Sequence, residues 1–204
     1  MAVARYRPDH DVTFDLAHGL VHLEGAPARV LMPADGLAAL CAAAGEEAAG
    51  ELGRAVGRAM GLRVASRLAP LAEAEGATQA GEGARAASIE TMVDHLGAEL
   101  SLAGLGSLGI ERWGHALVMV IDHCPLGARG DGLLEAALGE AVGVATSRHV
   151  RAVLLARDGT RARLLLASAP VAERVRSWLR GGVAWGDALT RLHAASAPAG
   201  PQAP

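Results

Sequence analysis

The sequence predicts an α+β domain, an antiparallel sheet with helices packed on one face. Three features carry that prediction. Apolar residues recur every three or four positions from Leu37 to Met60, the period of a long helix. Residues 115–124 alternate with the period of a strand directly after Gly114. Two apolar runs, VRAVLLA and RARLLLA, flank Asp158-Gly159, a dipeptide that joins antiparallel strands.

A chain of 204 residues is expected to build one core. The organisation read from it is an N-terminal arm over 1–11, one domain over 12–180, a terminal helix over 181–195 and a disordered tail over 196–204. Residues 12–32, VTFDLAHGLVHLEGAPARVLM, alternate weakly and break at Gly19 and Gly25-Ala26-Pro27, as a meander of short strands does. Asp35 then starts the long helix by accepting from the free amides of its first turn. Leu37, Leu40, Cys41, Ala44, Ala48, Leu52, Val56 and Met60 are expected to form its buried stripe, and Pro70 to close it.

A second stripe, Gly50, Gly53, Gly57 and Gly61, runs beside the first. Glycine inside a helix costs about 1 kcal/mol relative to alanine, so four at helical spacing require a compensating close approach. The neighbour is another helix of the chain, a second subunit or a ligand. Lipid is excluded by Glu51, Arg54, Arg58 and Arg63 on the same helix.

Residues 71–87 are small, polar and glycine-rich and read as a mobile loop. Ser88 caps the next helix, whose apolar side is Ile89, Met92, Val93, Leu96, Leu100 and Leu102. In the strand beyond Gly114, His115, Leu117, Met119, Ile121 and His123 share one face, and Ala116, Val118, Val120, Asp122 and Cys124 the other. Both faces are apolar in the middle, which predicts a central strand. Residues 133–145 form a core helix, 171–179 an amphipathic helix after the last hairpin, and 185–193 a short terminal one.

Composition excludes several functions. The cations are all arginine, the mark of a high-GC bacterial genome, and the net charge of −3 with no basic block argues against nucleic acid. No apolar run reaches the length of a membrane span, and MAVARYRPDHD lacks an apolar signal core. With two cysteines, Cys41 and Cys124, and no disulfide framework, a cytoplasmic setting is expected. Absence of lysine removes the phosphate loop, and Gly104-Leu105-Gly106 leads from helix to strand, the wrong order for a dinucleotide site.

No Cys-x-x-Cys or His-Glu-x-x-His spacing occurs, so no metal and no cofactor are predicted. Cys124 is the one candidate nucleophile, with His115 or His123 to lower its pKa and Asp122 to orient a base. A cysteine ending an apolar strand is more often a small core side chain. No catalytic residue is therefore assigned.

The arrangement resembles the 4-vinyl reductase (hydrocarbon-binding) domain, whose fold is shared with the Bet-three-like small subunits of the TRAPP vesicle-tethering complex. The resemblance rests on ARVLMPADGLAAL, ELGRAVGRAMGLRVASRLA, the run ending VMVIDHCPL and the hairpin VRAVLLARDGTRARLLLA, within residues 13–168. It implies a mixed α/β domain paired through helices, with an apolar cavity for a hydrocarbon, an aromatic effector or an acyl chain. Several bacterial members bind zinc through cysteines near the last hairpin. Here that hairpin carries Leu154, Leu155, Ala162 and Leu165 and no cysteine.

Two functions follow as expectations. One is a non-enzymatic small-molecule-binding or sensory domain, its apolar ligand held between helices and sheet by Cys41, Leu52, Gly53, Val56, Gly57, Met60, Met92, Leu96, Val118, Val120 and Cys124. The other is a homodimeric protein-interaction or scaffold module without ligand. An enzyme acting through Cys124 is a third, since a fold does not carry its chemistry with it.

Overall fold

A computed structural model describes residues 11–23, 29–74, 83, 87–114 and 116–196. The arm before Asp11, the break at Gly25-Ala26-Pro27, most of the segment 75–86, His115 and the tail after Ser196 lie outside the described residues. The chain begins with an antiparallel pair, β1 (Val12–Asp15) and β2 (Leu20–Leu23), extended by one isolated bridge from Val21 to Arg29. Helices α1 (Ala34–Ala74) and α2 (Ile89–Leu102) follow. Next come β3 (Ser107–Trp113), β4 (Ala116–Asp122) and helix α3 (Asp131–Thr146). The hairpin β5 (Arg151–Asp158) and β6 (Arg161–Ala167) leads to α4 (Ala169–Arg180) and α5 (Trp185–Ser196).

The fold class is α+β. Four strands form an antiparallel sheet in the order β3-β4-β6-β5, and β4 is internal, as its two apolar faces require. Tight turns at Gly114 (φ 60°) and Gly159 (φ 54°) close the two hairpins in a conformation that favours glycine. Met119, Ile121, Ala162 and Leu164 point to one face, where α1, α2 and α3 pack. Val118, Val153 and Leu165 point to the other, where Ala172 and Val175 of α4 and Leu189 of α5 cover them. The expected layer of helices is present, and the two terminal helices add a smaller layer opposite.

Three local expectations need correction. The first concerns Pro70, which lies inside α1, so the helix continues to Ala74. Proline fits helical φ, and near the end of a helix the missing N–H removes a single bond.

The second concerns the uniformity of α1. Gly45 has φ 87° and ψ 171°, so α1 is two helical segments joined at a kink. Any residue with a Cβ is strained there.

The third concerns which stripe is buried. Cys41 and Met60 are, but Leu40, Ala44, Ala48 and Leu52 face solvent, and the packed face is the glycine stripe itself. A Cβ on Gly53 would lie 2.4 Å from the Leu133 carbonyl oxygen, one on Gly57 2.2 Å from that of Ala137, and one on Gly61 2.5 Å from that of Ala141. Both rows advance four residues at a time, so the helices interlock ridge into groove along matching lines. Only hydrogen at these positions admits the backbone of α3, and the dispersion attraction between the two closely packed helices offsets the glycine cost. Gly139 and Gly143 repeat the device on the far side of α3, against Ala152 N at 2.9 Å and Arg148 O at 3.0 Å.

Candidate functional site

The predicted lining residues divide into two sets. Cys41, Met60, Leu96 and Cys124 belong to one buried cluster between α1, α2, α3 and the sheet, and Val56 and Met92 pack against it. Met119 of β4 joins them. This group holds two thiols and three thioethers, soft side chains that adapt to irregular contents. Gly53 and Gly57 stand against the α3 backbone, with no room for a ligand between. Leu52 is 38% exposed. Val118 lies in the opposite cluster under α4 and α5, and Val120 shares its parity on β4. The expectation that all eleven share one wall is corrected for these five.

Cys124 reaches the helix side because the strand ends before it. His123 has φ 60°, a left-handed conformation uncommon outside glycine, and it reverses the alternation. The Cys124 amide then donates to the Thr160 carbonyl at 2.9 Å, and the thiol is fully buried while His123 is exposed. A substrate arriving from solvent has no path to that sulfur in this conformation. Among the described residues, no three His, Cys, Asp or Glu side chains are placed to hold a metal ion.

A cleft of ≈ 690 Å³ opens beside the Gly45 kink, between α1, α3, the start of β5 and α4. Cys41, Ala49 and Gly50 form its α1 wall, and Asp131, Glu135, Arg151, Glu173 and Arg176 supply charge. Asp131, Glu135, Glu173 and Arg176 are ion-paired, whereas Glu46, Arg54, Arg129, Glu140, Arg151 and Arg180 also line the cleft and form no ion pair among the described residues. Arg176 donates to Glu173 at 2.6 Å and to Glu135 at 3.2 Å, while Arg157 donates to Asp131 at 2.6 Å. Glu135 also accepts from the Leu154 amide, which occupies the outer side of edge strand β5. No sequence signal marks this cleft, because Glu135 and Arg176, and Asp131 and Arg157, are far apart in the chain.

A buried ionic cluster joins α1 to α2. Glu99 is 3% exposed and accepts from Arg63 Nε at 3.1 Å and from Arg67, and Arg67 also pairs with Asp11 before β1. Half-buried His95, one turn earlier on α2, has its pKa lowered, first by burial and then by the Arg67 guanidinium. On β3, Glu111 accepts from Arg163 at 3.0 Å, Arg161 at 2.9 Å and Trp113 Nε1 at 3.2 Å. The Arg163 hydrogen bond is the main cause that holds its carboxyl below the usual range. Arg163 lies 5.6 Å over the Trp185 ring and Trp113 meets that ring edge-on at 4.6 Å, tying α5 to the sheet.

The fold and this interior define a class: an α+β domain with soft apolar contents between a glycine-packed helix pair and an antiparallel sheet. No family model matches the chain, and no curated protein matches it in sequence. Among solved structures it is similar to the crystal structure of the phenol-responsive sensory domain of the transcription activator PoxR with phenol, with a TM-score of 0.54 at 13% identity. The match covers 78% of this chain and 85% of that one. At this identity the likeness is one of fold.

Proposed function

We propose that the chain is a small-molecule-binding sensory domain whose apolar ligand sits between α1, α2 and β4. The observation that carries the reading is the likeness of fold, over most of both chains, to a phenol-responsive sensory domain. The chemistry of the interior agrees with it. Met60, Met92 and Met119 with Cys124 can rearrange around a monocyclic aromatic or a short hydrocarbon without losing a hydrogen bond, whereas Cys41 lies before the Gly45 kink in the wall of the cleft. Leu52, Gly53, Gly57, Val118 and Val120 do not face this interior and take no part.

Calorimetric titration and thermal unfolding with phenol and simple alkylbenzenes test the reading. A ligand at a hundredfold excess over its Kd adds about 2.7 kcal/mol, which for a domain of this size raises Tm by about 5 to 10 °C. Leu96→Trp, which places a larger side chain where fully buried Leu96 packs between α2 and the sheet, is expected to abolish the shift. No saturable shift with any of these compounds, and no retained small molecule in native mass spectra of the purified protein, would dispose of the proposal.

A homodimeric interaction module is the second reading. It is favoured by Leu52 and Leu62, which are 38% and 54% exposed on the outer side of α1.

A further inference from the structure

We infer that the cleft between α1, α3, β5 and α4 is a second ligand site, for an aromatic carboxylate, separate from the apolar interior. The cleft exists because α1 and α3 part there. A Cβ on Gly53 would collide with the Leu133 carbonyl, but one on Gly50, a turn earlier, would meet only Arg54 Nη1 at 3.6 Å, and one on Gly45 or Gly132 nothing within 4 Å. The resulting space of ≈ 690 Å³ has the size of a small-molecule site. Cys41, Ala49, Gly50, Ala136, Gly139 and Ala152 line it, and such small residues leave a smooth surface of backbone and short side chains. A flat apolar body can lie against it without displacing anything.

The charged lining residues select the rest of the ligand. Five are acids and five are arginines. Three of the acids already have partners: Asp131 has Arg157, which stands outside the lining, and Glu135 and Glu173 share Arg176. Arg54, Arg129, Arg151 and Arg180 remain, against Glu46 and Glu140, and among the described residues none of these six forms an ion pair or a side-chain hydrogen bond. Unpaired arginines thus outnumber unpaired acids two to one, in a chain whose net charge is −3. A guanidinium offers a fork of donors that fits a carboxylate and a plane that stacks on an aromatic ring. A neutral ring would use the floor and not the arginines, and an inorganic anion the arginines and not the floor. Glu46 and Glu140 oppose a more highly charged ligand, which leaves a ring with a single carboxylate.

Calorimetric titration of the full chain with benzoate and 2-naphthoate is the test. Both are expected to bind saturably, and to weaken as ionic strength passes about 0.1 M, where exposed charges are screened beyond roughly 10 Å. Benzamide, which lacks the charge, and inorganic phosphate, which lacks the ring, are each expected to bind at least about tenfold more weakly. Arg151→Gln with Arg180→Gln, and Arg54→Gln with Arg129→Gln, are each expected to weaken benzoate at least about tenfold. Arg58→Gln, exposed on α1 outside the cleft, is expected to leave it unchanged. All five arginines are exposed, and circular dichroism verifies that the variants fold.

No saturable binding of either carboxylate at millimolar concentration, or binding indifferent to the cleft variants, would overturn the inference. Benzamide as tight as benzoate would remove the arginines from it, and phosphate as tight as benzoate would leave a general anion surface in place of a ligand site. An equal loss in Arg58→Gln would reduce the effect to net charge. Competition between benzoate and phenol would place both compounds in one site and overturn the separation. Binding of benzoate without binding of phenol or alkylbenzenes would remove the reading of the apolar interior and sustain this one.

Discussion

Gly57 and Gly50 lie on the same helix, two turns apart, and opposite outcomes are expected when each becomes alanine. At Gly57 the new methyl would stand 2.2 Å from the Ala137 carbonyl oxygen, and backbone cannot turn away as a side chain can. Overpacking of this kind costs about 1–3 kcal/mol, more than the roughly 1 kcal/mol that alanine returns in helix propensity. At Gly50 the nearest atom is Arg54 Nη1 at 3.6 Å, an ordinary contact with a flexible group. Gly50→Ala is expected to stabilise by several tenths of a kcal/mol to about 1 kcal/mol, since only propensity changes. Urea unfolding of the two variants measures both signs. Equal shifts would mean that α1 and α3 are not interlocked at Gly57.

At the scale of elements, the union of α1 with α2 depends on charge as well as on apolar contact. Removing the Glu99 carboxylate leaves Arg63 and Arg67 without the anion between them, and breaking a buried pair from one side costs about 3–5 kcal/mol. Glu99→Leu is therefore expected to lower stability by at least about 3 kcal/mol in urea unfolding, and Glu99→Asp to recover only part of it. His95 adds a dependence on pH. Its folded pKa is lowered, so the unfolded chain takes up the proton first and stability rises with pH. The contribution is complete above the ordinary value of 6.5 and is lost as pH falls from there through the lowered folded value. His95→Gln is expected to flatten stability against pH just below 6.5, while the wild type declines.

Elements with strong periodicity are legible in the sequence. Ser88 does cap α2, accepting from the Thr91 amide at 3.1 Å, and Asp158-Gly159 does turn between β5 and β6. The misread positions share one cause. In α1 both the glycine row and the alanine and leucine row have helical period, and periodicity alone does not tell which row meets the rest of the chain. Hydrophobicity assigns Leu40 and Leu52 inward, whereas the inward side is the one with the least side chain. The proposed site is legible in part for a similar reason. Residues on α1, α2 and the end of β4 converge, but the left-handed turn at His123 that brings Cys124 to them leaves no mark that a strand pattern reveals.

For the molecule as a whole, the two-sided burial of α3 sets the order in which parts of the fold open. Leu133, Ala137 and Ala141 meet α1 through its glycines, and Gly139 and Gly143 meet the backbone at the start of β5 and just before it. Helix, helix and sheet are thus joined through α3, and it is buried along nearly its whole length. Elements with such contacts on two sides open only with global unfolding, whereas elements with few buried residues open locally. The β1–β2 pair has a single buried residue, Leu23, and Asp11 beside it is ion-paired with Arg67. Amide exchange followed by mass spectrometry is expected to be slowest in α3, β4 and β6 and fastest in β1–β2, with α5 between them through Trp185 and Leu189. A bound apolar ligand is expected to slow α1 and α2 beyond this baseline and to leave α4 and α5 unchanged, because the latter cover the other face of the sheet. Slowing confined to α4 and α5 would move the ligand to that face, where Val118 and Leu165 lie, and would remove Met60, Leu96 and Cys124 from the site.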